Sequence, residues 1–297
     1  MRIIQRIRPG VTGEKLDAII KIHEKLPESF NEVWLSTLYG FPTLERHKEE
    51  ALLLAKEAEK LRKAGIRVSM QLANSVGHGL YISPLDCSGL VYDGSPAEKL
   101  VGHDGSVADY AFCWWGEHIK DYIDRQVRLY VSAIRPAEFW IDDDLRALGH
   151  APVDFGCFCD SCIRRFNKKY GDSFDREGLV EDFLHGDGRT RRNFIAFQRE
   201  GIASLTELIC RAVKESNGDT VVALQNGSRG AYSGYGHDYI FDAILRATGK
   251  APLYRPGAGA YDDHDPNAIA VSSAVPAMLF PMALCGVLSI SGQVLCT

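Results

Sequence analysis

The chain has 297 residues, enough for a full α/β barrel, which commonly occupies about 250 residues. Apolar residues make up 45% of it and charged residues 25%, an ordinary balance for a soluble globular protein. A net charge of -5 and the lack of any long lysine or arginine run argue against a nucleic-acid partner.

The N-terminus, MRIIQRIRPG, lacks the apolar core and small-residue cleavage site of a signal peptide, so a cytoplasmic location is the expectation. There the eight cysteines stay reduced, and a tight cysteine cluster reads as a metal site before it reads as disulfides. Residues 2–7 form the weakest of the predicted strands, and 12–26 a helix with Leu16, Ile19 and Ile20 near one face. Residues 33–38 read as a buried strand ending at Tyr39-Gly40, and Thr43 caps a long helix to Lys63. A strand at 66–72 leads into a polar loop with Asn74, Gly77 and His78, and a long irregular stretch then runs to Phe112. Length of that kind points to function. A helix at 116–134 precedes the strand 138–142, which ends in three carboxylates. After the cysteines come a helix at 189–215, a strand at 220–225, a helix at 238–248 and a strand at 252–255.

About six β/α units are recognisable, so the expected fold is α/β, an incomplete (β/α)8 barrel of the TIM type. The barrel is expected to occupy 1–265, with 266–297 set apart as an aberrant tail. After Asp265 no residue carries a formal charge, and a barrel helix needs a polar outer stripe. Three readings stand: a membrane span over 268–290, buried strands and loops, or a truncated or frame-shifted end that does not encode the last barrel units.

Two clusters carry chemistry. Cys157, Cys159 and Cys162, spaced C-x-C-x-x-C, can turn three sulfurs toward one tetrahedral ion, zinc by preference. Cys113, Cys87, Cys210 and His150 compete to be the fourth ligand, and a closed set of this kind is structural. Asp142, Asp143 and Asp144 end a buried aromatic strand; alternation puts the outer two on one face, and mutual repulsion raises at least one pKa. The plain alternative is a helix cap or a salt bridge to Arg146. Around them stand groups suited to a sugar. Trp114 and Trp115 offer flat apolar faces; Gln71, Asn74, His78, Gln225, Asn226, Arg255 and Tyr261 can hydrogen-bond hydroxyls. Neither a G-x-G-x-x-G fingerprint nor a Walker loop occurs, so no nucleotide cofactor is expected.

The run Phe139-Trp140-Ile141-Asp142-Asp143-Asp144, then C-x-C-x-x-C, Phe166 and Tyr170-Gly171, resembles the β-galactosidase-like family 42 glycoside hydrolases. The resemblance covers residues 112–171. It implies a barrel that hydrolyses O-glycosidic bonds in carbohydrates, a structural zinc whose fourth ligand is the upstream Cys113, and Asp144 at the acid/base position. Two departures matter: aspartate is shorter than the family's glutamate, and the family's nucleophilic glutamate, after the seventh strand, would fall in the charge-free tail. A pairing of Asp142 or Asp144 with Asp262 or Asp263 would restore two carboxylates. Barrels of this kind are often homo-oligomers. The competing readings are a metal-dependent hydrolase using Asp142, Asp144, His78 and His264, and a carbohydrate-binding barrel without turnover.

Overall fold

A computed structural model describes residues 2–81, 83–92, 94–225, 237–255, 287–290 and 293–296. Its elements run β1 (Arg2–Arg6), α1 (Glu14–Lys25), β2 (Glu32–Ser36), α2 (Leu44–Lys63) and β3 (Arg67–Leu72). Two small hairpins follow, β4 (Val91–Tyr92) with β5 (Ser95–Pro96), and β6 (Lys99–Val101) with β7 (Val107–Phe112). Next come α3 (Glu117–Ile134), β8 (Glu138–Ile141) and a hairpin of β9 (Leu148–His150) with β10 (Val153–Phe155). The helices α4 (Asp160–Tyr170), α5 (Arg176–His185) and α6 (Arg189–Ser216) lead to β11 (Val221–Gln225), α7 (Asp238–Thr248) and β12 (Leu253–Arg255). The strands β13 (Val287–Ile290) and β14 (Gln293–Cys296) close the order.

β1, β2, β3, β8, β11 and β12 pair in parallel, each with the next in that series. This is an incomplete (β/α) barrel, as the alternating pattern predicts. β14 then adds antiparallel to β1 and β13 antiparallel to β14, so a hairpin within 266–297 extends the sheet from its first strand. Of the expected membrane span, 287–290 form β13 and the remainder lies outside the described residues. Among the described residues no helix is long and apolar enough to cross a membrane.

The long stretch 79–112 is more ordered than its sequence suggests. Its short hairpins are mostly too polar and too brief to announce themselves by alternation. Between β10 and α6 the structure also adds α4 and α5, the second capped by Asp175, whose side chain accepts from Gly178 N–H at 2.8 Å.

The helical layer is pinned by buried polar contacts as well as by apolar packing. Thr43 caps α2 as expected, its hydroxyl accepting from Arg46 N–H at 3.3 Å. One turn on, buried His47 lies 2.9 Å from the Tyr130 hydroxyl at Nδ1 and 2.7 Å from the Tyr122 hydroxyl at Nε2. Tyr122 donates in turn to the Pro42 carbonyl at 2.7 Å, so a neutral ring with its proton on Nε2 satisfies both tyrosines. The link joins α2 and α3 to the loop after β2.

Burial lowers the His47 pKa to about 4, from the 6.5 of a free imidazole. The unfolded chain therefore takes up the proton first, and the stability that His47 contributes is complete above pH 6.5 and lost as pH falls toward 4. Denaturant unfolding between pH 7 and 4.5 is expected to show a loss approaching about 3 kcal/mol from this group. The His47→Gln variant is expected to start lower and to have a flatter profile. An unchanged slope in that variant would assign the acid sensitivity elsewhere.

Candidate functional site

The interior of the barrel is layered. At the N-terminal end of the strands Arg67 bridges two buried acids, 3.3 Å from Glu32 and 3.2 Å from Glu138. Above them Ile4, Trp34, Trp140, Ala223 and Leu253 form an apolar plug, with the two indoles edge to face at 4.6 Å. One step further along each strand, period-two alternation brings the next inward side chains: Arg6, Ser36, Gln71, Asp142, Gln225 and Arg255. Every one is polar, although this end of a packed barrel core would call for branched aliphatics. Several lack partners among the described residues: the Ser36 hydroxyl, both amide atoms of Gln71, Gln225 Oε1, Arg6 Nε and, from the loop above, Asn74 Nδ2. Each buried polar atom left unpaired costs about 1–3 kcal/mol, so this layer has a demand for hydrogen-bonding groups that the described residues do not meet.

The three aspartates after β8 have separate environments. Asp144 is fully buried and accepts from Ser75 N–H at 2.7 Å, Ser75 Oγ–H at 2.6 Å and Gly77 N–H at 2.6 Å. Gly77 sits at φ +96, with the Tyr110 carbonyl 1.9 Å from where a Cβ would lie, so only glycine fits there. Asp142 lies at the mouth of the polar layer. It accepts from Asp143 N–H at 2.9 Å and from the Gln225 amide, and its Oδ2 stands 3.2 Å from His78 Nε2. Burial pushes the Asp142 carboxyl up to about 6, against the opposing effect of His78. For His78, burial alone would lower the pKa; the bond to Asp142 and the charges of Asp144, Asp142 and Asp143 outweigh it and hold the ring at about 9. Asp143 is partly exposed, 3.8 Å from His78 Nδ1 and 3.7 Å from Arg146 Nη1.

The sequence-based roles change accordingly. Asp144, expected to protonate the leaving oxygen, is fully buried, and its two oxygens are taken up by the Ser75 and Gly77 donors. His78 belongs to the aspartates rather than to a free hydroxyl-binding loop. Arg146 spends its guanidinium on the carbonyls of Asp143, Leu148 (2.9 Å) and Gly149 (3.0 Å), shaping the β8–β9 turn. Trp114 is fully buried, donating to Gln198 Oε1 at 3.0 Å, and cannot reach a ligand. Trp115 stacks on Phe197 at 4.9 Å and lies under Lys120 and Arg165, so its faces are taken too. Gln71, Asn74, Gln225 and Arg255 do converge at the strand ends, whereas Asn226, Tyr261, Asp262, Asp263 and His264 lie outside the described residues. Arg6 and Ser36, which alternate with Ile4 and Trp34, join the layer without having been among the expected site residues. So does Tyr81 beside it, whose ring lies 6.1 Å from His78 and whose hydroxyl is pushed up to about 12 by burial and by the neighbouring Tyr39.

Cys113, Cys157, Cys159 and Cys162 gather their sulfurs within 4.8 Å of one another, all four buried. Cys113 lies 3.3 Å from Cys162 and 3.8 Å from Cys159, close to the roughly 3.8 Å edge of a tetrahedron with metal–sulfur bonds of 2.3 Å. The cluster could hold a metal ion, and four soft donors suit a closed site. Cys87, Cys210 and His150 are not part of it: His150 instead joins the Gly77 and Arg146 carbonyls, at 2.7 and 2.8 Å. Gln198 ties the cluster to α6 by donating to the Cys157 carbonyl at 2.9 Å.

The sequence matches no protein-family profile and no curated protein. The fold has solved counterparts. A β-galactosidase from the Antarctic haloarchaeon Halorubrum lacusprofundi superposes with a TM-score of 0.57 at 14% identity, over 90% of this chain and 42% of that one. The β-galactosidase from the psychrophilic Marinomonas ef1 gives 0.60 at 12%, over 88% and 41%. The PgaB (BpsB) glycoside hydrolase domain from Bordetella bronchiseptica gives 0.56 at 11%, over 97% and 94%. The chain thus spans about two fifths of the β-galactosidases and nearly all of the Bordetella domain. At these identities the likeness is one of fold, and at that level it agrees with the resemblance read from residues 112–171.

Because the Asp144 carboxylate satisfies three buried donors, Asp144→Ala leaves the Ser75 and Gly77 N–H groups without their acceptor. The variant is expected to lose about 2–4 kcal/mol of stability in denaturant unfolding. A loss below about 0.5 kcal/mol would contradict the anchoring role.

Proposed function

We propose that this barrel binds carbohydrate at the C-terminal ends of its strands and hydrolyses an O-glycosidic bond, with Asp142 as the acid. The observation that carries the reading is the ring of unpaired amide and hydroxyl groups around a buried carboxyl whose pKa is raised to about 6. A sugar supplies many hydroxyls to such a ring, and a carboxyl tuned toward neutrality can protonate a leaving oxygen. The glycoside hydrolase and β-galactosidase names of the solved counterparts agree with this reading.

In this scheme the strand-four acid is Asp142, two residues before the position that the family resemblance suggests. His78 and Gln225 orient its carboxyl, and Asp144 fixes the loop that carries His78. Asp262 and Asp263 are the proposed sources of the second carboxylate. A separation of about 5–5.5 Å from Asp142 would mean retention, and about 6.5–9.5 Å inversion. The ion we assign to the cysteine cluster is zinc, with a structural role: it would brace β7, the β10–α4 turn and α6 behind the site, and its four thiolates leave no open position for chemistry. Reduced thiols fit a cytoplasmic setting.

The test is a panel of aryl glycosides with the intact chain, Asp142→Asn and Asp144→Asn. Turnover is expected to fall by about 10²- to 10⁴-fold in Asp142→Asn. Activity of the intact chain should decline above pH about 6, as the acid form of Asp142 is titrated away. Full activity in Asp142→Asn would remove the proposed acid. Sugar binding without turnover by the intact chain would favour a binding barrel.

A further inference from the structure

At the N-terminal end of the strands, opposite the polar layer, a cavity of about 290 Å³ opens. Arg62 near the end of α2, Arg67 at the start of β3 and Arg135 just after α3 line it, with Asn217 and Asp219 from the turn before β11. Barrel enzymes keep their chemistry at the other end, so three arginines gathered here serve something else.

Arg67 is matched by Glu32 and Glu138. Arg62 and Arg135 are not matched in this way. Arginines near helix ends commonly cap the last carbonyls, and Arg62 Nη2 does so, donating to the Ile134 and Arg135 carbonyls at 2.6 and 2.9 Å. Arg135 Nη2 stands 3.4 Å from Asn217 Oδ1. Each guanidinium spends one nitrogen on these contacts, and neither forms an ion pair among the described residues. Partial desolvation lowers the Arg62 pKa, Glu59 opposes that, and the positive charge of Arg135 lowers it further.

The backbone of Arg135 is the second observation. Among the described residues it alone of the non-glycines has a positive φ, at φ 51 and ψ 57. The helices α4 and α7 end in the same left-handed conformation, but on Gly171 and Gly249, which adopt it without steric cost. Arg135 also precedes Pro136, which restricts its backbone further. Keeping an arginine at such a position costs conformational free energy that a helix end does not require.

We propose that this cavity binds a phosphate group, free or as a small ester, between Arg62 and Arg135. A carboxylate is satisfied by the fork of one guanidinium, whereas a tetrahedral dianion has the charge and the oxygens for two. The volume suits a small molecule. Asp219 opposes the anion and limits its affinity. The site lies at the opposite end of the strands from Asp142 and is independent of the carbohydrate reading.

The test is isothermal titration calorimetry of the full chain at fixed ionic strength with inorganic phosphate and with glycerol 3-phosphate, chloride serving as the control anion. Arg135→Gly and Asp219→Asn would be titrated alongside, and each protein unfolded thermally without phosphate. Arg135→Gly is expected to weaken phosphate binding at least about tenfold, yet to unfold at the same or a higher temperature, because glycine relieves the backbone. Asp219→Asn is expected to tighten binding severalfold. Preference for the ester or for the free ion supports the site either way and identifies its source of phosphate. No binding by the folded chain, unaltered binding in Arg135→Gly, or an equal response to chloride would overturn the proposal. So would a lower unfolding temperature for Arg135→Gly, which would assign Arg135 to the helix end.

Discussion

The site depends on a carboxylate that is not free to react. Asp144 sits beyond the end of β8 with both oxygens engaged by the loop after β3, so two neighbouring strands are joined at the level where a ligand would enter. An ionised carboxylate without donors would be intolerable at that depth; with three of them it becomes a clamp. The loop it clamps carries His78, and His78 in turn holds Asp142. The buried acid therefore sets the geometry around Asp142, and the tight Gly77 turn is what allows the backbone to come close enough.

The same contacts set Asp142 and Asp144 apart. Asp142 and Asp144 share a face by alternation, and a sequence alone gives no reason to prefer either. The β3 loop gives Asp144 the Ser75 and Gly77 donors, whereas Asp142 meets His78 from that loop, the Gln225 amide from β11 and the N–H of Asp143. Burial pushes the Asp142 carboxyl toward its acid form. Around this pair the cysteine cluster and Gln198 keep the β10–α4 turn seated on α6.

Much of this was legible in the sequence, and the failures have physical causes. The parallel strands announce themselves because β2 and β8 are buried on both faces and read as continuous apolar runs broken only by inward polar residues. Thr43, the spacing of the cysteines and the carboxylates after β8 were equally plain. Trp114 and Trp115 misled because a pair of tryptophans has the same spelling whether it faces a sugar or packs beside a metal cluster; only Phe197 and Gln198, some eighty residues on, decide between the two. Arg6 was invisible for the opposite reason. Its strand is short, and an arginine between Gln5 and Ile7 reads as an exposed edge until Ile4 is seen to join Trp34 and Trp140 inside the barrel.

The polar layer and the indole plug beneath it form one device. The plug closes the barrel with apolar bulk and keeps the lower ion pairs of Arg67 apart from the upper groups. Without it the unpaired Gln71 amide and Gln225 Oε1 would lie close to Glu32, Ser69 and Glu138. Held one layer apart, these atoms have no partner among the described residues. Their cost, about 1–3 kcal/mol apiece, is borne by a fold whose helices and plug are otherwise well packed. A ligand that satisfies them recovers that free energy on binding. The poor satisfaction of the layer and its capacity to bind are thus the same property, and it follows from placing Trp34 and Trp140 two residues before Ser36 and Asp142 on their strands.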